Sequence, residues 1–143
     1  MKKIILIVED LPEEQARAKE VVIAAGYRPV LAGTLADAHR LWESLEGKIS
    51  GIITDLHFPE LEQFVQQTGT SPCGLAIVTS ALLKKVPVAI CSDVNHHFCQ
   101  YVKEVVKNLE AMTGQRIPFT MDSKNWSLAM KNLEEIMKKE EKI

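Results

Sequence analysis

The chain has little of what marks membrane, secreted or nucleic-acid-binding proteins. Its 17 Lys and Arg residues are outnumbered by 19 Asp and Glu residues, so there is no basic surplus for nucleic acid or acidic lipid. No apolar run approaches the roughly 20 residues of a membrane span, and residues 4–8 are too short for a signal peptide. Three cysteines are too few for a disulfide framework. We therefore expect a cytoplasmic protein with reduced thiols that binds neither nucleic acid nor membranes.

The overall amino-acid composition is that of an ordinary globular protein. Of the 143 residues, 46% are apolar and 25% are charged, which is the balance of one compact domain rather than of a disordered chain. We expect residues 1–143 to form a single domain.

Five short apolar segments alternate with five segments of helical periodicity. Strands are predicted at residues 3–8, 28–32, 49–56, 86–91 and 117–121. Helices are predicted at residues 12–25, 34–47, 72–82, 95–114 and from 126 onward. Because parallel strands need crossover connections, this alternation predicts a doubly wound α/β fold, with a five-stranded parallel sheet and helices on both faces.

Acidic residues follow the first and third predicted strands. Glu9 and Asp10 come directly after one, and Asp55 lies at the end of the other. In a parallel sheet these carboxyl ends meet at one edge, where ligands bind. Carboxylates so close repel one another unless a cation neutralises them, and an all-oxygen ligand set suits Mg²⁺. An alternative is that Asp10 only caps the first helix.

A hydroxyl and an ammonium group are expected at the same edge. Ser92 ends the fourth predicted strand, and Lys124 follows the fifth. Together with the acids, they provide the groups needed for phosphoryl transfer to a carboxylate, which depends on positioning and charge neutralisation. The alternative for Lys124 is an ordinary surface lysine.

Four segments together resemble a known family. They are "ILIVEDLPEEQ", "IITDLHFP", "VAICSD" and "KNWSLAMKNL", and they resemble the receiver domains of two-component response regulators. The resemblance covers essentially the whole chain. It implies a flavodoxin-like receiver fold with strand order 2-1-3-4-5, as a stand-alone domain without an output domain.

The resemblance also implies a role for each site residue. Asp55 matches the phosphoacceptor, and Ser92 and Lys124 match the residues that contact the phosphoryl oxygens. The implied Mg²⁺ ligands are Glu9, Asp10, Asp55 and the backbone carbonyl of His57.

By the same resemblance, the chain is a signalling phosphoacceptor rather than an enzyme, catalysing only its own phosphorylation and dephosphorylation. A histidine kinase or phosphotransfer protein would supply the phosphate, and output would be altered binding to a downstream protein. We expect a monomer or weak dimer.

Two residues depart from the family pattern close to the expected site. Asp93 follows Ser92 where the family usually has a small residue, and Asn125 follows Lys124 where the family has a proline joined through a cis peptide. These departures favour an alternative, a pseudo-receiver that acts as a protein interaction module without phosphorylation.

Other departures concern a loop and a strand. The 58–72 segment is roughly ten residues longer than the usual family connection, which suggests a lid or a partner contact. Either Phe119 or Met121 takes the aromatic switch position of the family, and we favour Phe119.

A third alternative is a Mg²⁺-dependent phosphatase with an aspartyl nucleophile. Such an enzyme would need a second acid two residues after Asp55, but His57 stands at that position, which argues against this class.

Overall fold

A computed structural model describes residues 1–61, 73–93, 96–120 and 124–141, without the side chains of 96–99 and 141. Along the described chain, strands and helices alternate from the first strand to the last helix. The strands are β1 (Ile4–Val8), β2 (Arg28–Ala32), β3 (Ile49–Thr54), β4 (Val88–Cys91) and β5 (Phe119–Thr120). The helices are α1 (Pro12–Ala24), α2 (Leu35–Ser44), α3 (Gly74–Leu83), α4 (His96–Thr113) and α5 (Trp126–Glu141).

The five strands form one parallel sheet in the order β2-β1-β3-β4-β5. This confirms the predicted doubly wound fold and its strand order. The chain passes from β1 outward to β2 and then back across β1 to β3, so the order reverses between β1 and β3. Ligands in open α/β sheets bind at such a reversal, outside the carboxyl ends of the strands.

Both faces of the sheet are covered by apolar side chains. Every residue of β1 is buried, and alternate residues point to opposite faces. One core cluster joins β1, β3 and β4 to α2, α3 and α4, and the other joins the same strands to α1 and α5. Among the described residues, no helix has the length and apolar character to cross a membrane.

The beginnings of α1 and α2 follow the signals in the sequence. Pro12 occupies the first turn of α1, where a missing N–H costs nothing. Thr34 accepts a hydrogen bond from the backbone N–H of Asp37 at 3.0 Å, so it caps α2 at the predicted start of this helix. Gly26 follows α1 with a φ of +94°, a conformation that favours glycine.

Several predicted boundaries are wrong by a few residues. α1 ends at Ala24, β3 ends at Thr54, and β4 begins at Val88 rather than at residue 86. Residue 86 still belongs to the turn after α3, since its N–H donates to the carbonyl of Ala81. α2 ends at Ser44, and α3 begins at Gly74. Pro72 and Asn95, expected at the starts of α3 and α4, lie outside the described residues.

The fifth strand is shorter than predicted. The sequence favours residues 117–121, whereas β5 contains only Phe119 and Thr120. The N–H of Ile117 donates to the carboxylate of Glu110 at 2.7 Å instead of to a neighbouring strand. Phe119 is half-buried against the core, and Met121 lies outside the described residues.

Candidate functional site

The acidic residues lie at the carboxyl ends of β1 and β3, which are neighbours in the sheet. Val8 pairs with Thr54, so the residues that follow them, Glu9 and Asp55, emerge side by side. The N–H of Asp55 donates to the carbonyl of Val8 at 2.9 Å, and that of Glu9 donates to Ala32 at 2.9 Å. The sheet itself therefore fixes the positions of both acidic residues.

Three carboxylates meet at this edge. One oxygen from each of Glu9, Asp10 and Asp55 lies within 4.8 Å of the others. Glu9 and Asp55 are buried, and Asp10 is half-buried. Such a group of oxygen donors, on two buried carboxyl groups and one half-buried one, fits a hard divalent cation such as Mg²⁺.

Lys124 joins two of the three carboxylates. Its Nζ lies 2.9 and 3.0 Å from the two carboxylate oxygens of Glu9 and 3.1 Å from Oδ2 of Asp55. The side chain of Lys124 is only 8% exposed, so these contacts are shielded from water. Lys124 is therefore part of the site and not a surface lysine.

The electrostatics of the site reflect burial and crowding. Burial, followed by repulsion from Asp55, raises the pKa of Glu9 to about 8, even though hydrogen bonds from Lys124 and the N–H of Leu11 favour the charged form. Burial alone would lower the pKa of Lys124, but the Glu9 hydrogen bond and the charges of Asp55 and Glu9 raise it above its usual value. Lys124 therefore stays charged, while Glu9 takes up a proton more readily than a solvated acid.

The two carboxylate oxygens of Asp55 have different partners. Oδ1 accepts a hydrogen bond of 2.7 Å from the N–H of Leu56, and Oδ2 faces Lys124. The hydroxyl of Thr54 donates to the backbone carbonyl of Asp55 at 2.8 Å. Both the side chain and the backbone of Asp55 are thus held in one orientation.

Gly74, the first residue of α3, packs directly on Asp55. A Cβ atom at this position would lie 2.2 Å from the carbonyl oxygen of Asp55 and 2.7 Å from the Cα of Leu56. The N–H of Gly74 also donates to the carbonyl of Leu56 at 2.9 Å. Only glycine permits α3 to start this close to the acidic residue.

Ser92 and His57 lie at the same edge of the sheet. Ser92 is fully buried directly after β4, and its N–H donates to the carbonyl of Thr120 at 2.8 Å. His57 is half-buried two residues after Asp55. Asp93, the unusual neighbour of Ser92, is exposed to solvent. The contact of Ser92 with phosphate and the contact of the His57 carbonyl with a metal remain predictions.

The segment after Asp55 makes contacts that sequence reasoning missed. Phe58 is completely buried, and the carbonyls of Pro59 and Glu60 accept hydrogen bonds from the N–H groups of Leu35 and Ala36, at 3.1 and 3.0 Å. Residues 58–61 thus cap the start of α2 instead of forming an open loop. The rest of the proposed lid, residues 62–72, lies outside the described residues.

Two further polar contacts, also missed, lie at the start of α5. Oδ1 of Asn125 accepts a hydrogen bond from the N–H of Leu128 at 3.0 Å, and Nε1 of Trp126 donates to Glu14 at 2.7 Å. No peptide bond among the described residues is cis, including the one between Lys124 and Asn125. The known preference of asparagine for N-cap positions was the available signal for Asn125.

Comparisons with known proteins agree with this fold. No protein-family model matches the chain, and no curated protein matches it. A receiver domain from Clostridium thermocellum superimposes with a TM-score of 0.69 at 14% identity, covering 97% of each chain. A CheY-like receiver domain from Methanospirillum hungatei gives 0.68 at 15% identity, covering 99% of this chain and 98% of that one.

A third similar structure is the signal receiver domain of a putative LuxO repressor protein from Vibrio parahaemolyticus. It has 18% identity and a TM-score of 0.68, and covers 97% of this chain and 92% of that one. At identities this low, the likeness shows a shared fold. The chain therefore has the fold of the receiver domains of response regulators, and it has the size of one such domain.

Proposed function

We propose that this chain is a receiver domain that accepts a phosphoryl group on Asp55 in a Mg²⁺-dependent reaction. The observation that carries the proposal is the contact of one buried ammonium, Lys124, with both Glu9 and Asp55 inside a group of three carboxylates. A lone acidic pair at the end of a strand is often only a helix cap. Three acids and a buried lysine gathered from three parts of the chain are the groups expected for phosphoryl transfer.

In the proposed reaction, Oδ2 of Asp55 attacks the phosphorus atom and forms a new P–O bond. The bond from phosphorus to the donor breaks at the same time, and the donor leaves with the electron pair. Lys124 lies 3.1 Å from the attacking oxygen, so it can neutralise charge on the acceptor and on the phosphoryl oxygens. The hydroxyl of Ser92 would donate a hydrogen bond to one of those oxygens.

The residues proposed to hold Mg²⁺ are Glu9, Asp10, Asp55 and the backbone carbonyl of His57. The fit rests on three carboxylates whose oxygens approach within 4.8 Å, two of which share the single ammonium of Lys124. Bound Mg²⁺ supplies neutralisation of the phosphoryl oxygens. The residues of the chain orient the acceptor.

As a receiver, the chain would work through other proteins. A histidine kinase or phosphotransfer protein would donate the phosphoryl group, and phosphorylation would alter the binding of a downstream protein. We propose that residues 1–143 act as one receiver-like domain, as a monomer or weak dimer. The buried free thiols of Cys73 and Cys91 support a cytoplasmic location.

The test is the intact mass of the protein after incubation with acetyl phosphate. We expect a one-phosphate adduct in the presence of Mg²⁺ that disappears with chelator and in Asp55→Asn. Asp93→Asn is a matched control, because it removes an exposed carboxylate near the site but not the acceptor. Absence of an adduct from acetyl phosphate and from a panel of histidine kinases would overturn the proposal.

The second candidate is a pseudo-receiver that binds partners without phosphorylation. The observation that favours it is the contact of the Lys124 ammonium with Glu9, which supplies positive charge to the acids without a metal ion. The two candidates differ in their response to Mg²⁺. Trp126 is buried beside the site, so a working site predicts a saturable Mg²⁺-dependent change in tryptophan fluorescence, and a pseudo-receiver predicts none.

A further inference from the structure

We propose that Asn125 and Glu14 are positioning residues for Lys124. Both residues hold the start of α5, each from a different side. Asn125 stands at the position where the family resemblance implies a proline. This inference rests on the proposed function, since it assigns the two residues to the placement of an ammonium group that serves Asp55.

Asn125 fixes where α5 begins. Its Oδ1 accepts the N–H of Leu128 at 3.0 Å, and its backbone carbonyl accepts the N–H of Ala129 at 3.1 Å. This is the geometry of an N-cap, in which a side-chain oxygen takes one of the free N–H groups of the first turn. Lys124 is the residue directly before this cap, so its backbone position depends on it.

Glu14 holds the same turn from the side of α1. One of its carboxylate oxygens accepts the indole N–H of Trp126 at 2.7 Å, while the other contacts Arg17 at 2.6 Å. Trp126 is 3% exposed, so the hydrogen bond lies in a largely dry environment. The N–H of Trp126 donates in turn to the carbonyl of Lys124 at 3.2 Å.

The two contacts meet at one short segment. Asn125 sets the register of α5, and Glu14 sets its distance from α1 through Trp126. Together, the two contacts determine the backbone position of Lys124, from which its side chain extends toward Glu9 and Asp55. Since misplacement of a catalytic group by about 1 Å can cost up to about 100-fold in rate, these residues have a kinetic effect beyond stability.

The test compares disruptive and conservative variants in the acetyl phosphate reaction at saturating Mg²⁺. Asn125→Ala and Glu14→Leu remove the acceptor oxygens, while Asn125→Ser and Glu14→Gln keep an acceptor in place. We expect the maximal phosphorylation rate to fall about 10- to 100-fold in the disruptive pair and to stay within about threefold in the conservative pair. Asn108→Ala and Glu20→Leu, at exposed sites on α4 and α1, are the matched controls.

The kinetic readout separates positioning from simple stabilisation. All variants are measured well below their unfolding midpoints, where a purely structural contact leaves the rate unchanged. Disruptive variants that are folded and react at the wild-type rate would overturn the proposal. Equal losses in the conservative and disruptive variants would overturn it as well.

A second readout does not depend on phosphorylation. In ¹⁵N-lysine-labelled protein, an ion-paired ammonium gives a shifted and slowly exchanging Nζ signal, assigned by its loss in Lys124→Arg. We expect this signal in wild type, Asn125→Ser and Glu14→Gln, and its loss in Asn125→Ala and Glu14→Leu. If wild type accepts no phosphate, the proposed function fails, and the Nζ signal alone tests the positioning role. Persistence of the signal in the disruptive variants would contradict that role.

Discussion

At the scale of single residues, Lys124 connects the acidic residues that follow β1 and β3. Its ammonium contacts Glu9, which is 115 positions away in the sequence, as well as Asp55. Sequence reasoning placed Lys124 near the acceptor by resemblance, but it did not predict the pairing with Glu9. That contact depends on the distance between β1 and the start of α5, which no local pattern in the sequence encodes.

Removal of the ammonium should leave Asp55 without its counter-charge and Glu9 without one of its hydrogen-bond donors. We expect Lys124→Met to lower the free energy of unfolding by about 3 kcal/mol in chelator, since breaking a buried ion pair from one side is costly. Mg²⁺ should restore part of this loss by replacing the positive charge. Urea denaturation with and without Mg²⁺ checks both effects, and Lys131→Met, at an exposed position on α5, is the control. An equal loss in both variants would contradict this assignment.

Glu9 gives the site a characteristic pH dependence. Its pKa rises from the usual value of 4.5 to about 8 in the folded protein, so between these values the native state holds a proton that the unfolded state releases. This group therefore lowers the free energy of unfolding as pH rises through that window. In chelator, we expect wild type to lose stability more steeply than Glu9→Gln between about pH 5 and 8. Parallel pH profiles from urea denaturation would be inconsistent with the raised pKa.

At the scale of elements, the sequence predicted the starts of α1 and α2, which have local chemical signals, better than the starts of β4 and β5. Pro12 and Thr34 act through their own backbone and side-chain chemistry, and both lie where expected. The start of a strand depends instead on whether a distant partner is present. Ile117 has a suitable side chain for a strand, but its N–H pairs with Glu110, and β5 is shorter as a result.

The contact between α3 and the acceptor depends on one missing side chain. In Gly74→Ala the new methyl group would lie 2.2 Å from the carbonyl oxygen of Asp55, so the backbone must move. We expect a loss of about 2 kcal/mol in stability, measured by urea denaturation, together with slower phosphorylation. Gly33→Ala is the matched control, since the nearest atom there is 3.5 Å away. Similar losses in the two variants would argue against a specific contact at Gly74.

Phe58 ties the segment after Asp55 to the core. It is fully buried, and the carbonyls that follow it cap α2. We expect Phe58→Ala to cost about 3–5 kcal/mol in unfolding free energy, through lost burial and the cavity that remains. Leu83→Ala should cost little, because Leu83 is 82% exposed. Chemical denaturation of both variants checks the difference, and a small loss at Phe58 would show that the segment is not held by the core.

At the scale of the whole molecule, the arrangement of the strands explains why the site could be located from the sequence. The alternation of apolar runs with helical segments predicted a parallel sheet, and a parallel sheet brings its carboxyl ends to one edge. The strand order β2-β1-β3 then places Glu9 beside Asp55. The contacts of Glu14 and Gly74 could not be predicted in the same way, because one depends on how α1 packs against α5 and the other on how α3 packs against the end of β3.

The fold is also consistent with a site that changes its charge without unfolding. The acids and Lys124 lie at the carboxyl edge of the sheet, and the two large apolar clusters cover its faces. A phosphoryl group at Asp55 would therefore alter the edge of the sheet while the core stays intact. A changing sheet edge on an intact core suits a domain that signals by binding partners.

The most direct test of the central claim is to locate the modified residue chemically. After reaction with acetyl phosphate and Mg²⁺, borohydride reduces an aspartyl phosphate to homoserine, which peptide mass spectrometry assigns to a position. We predict homoserine at position 55 in wild type, and none with chelator or in Asp55→Asn. Modification at another residue, or none at position 55 with any phosphodonor, would contradict the account.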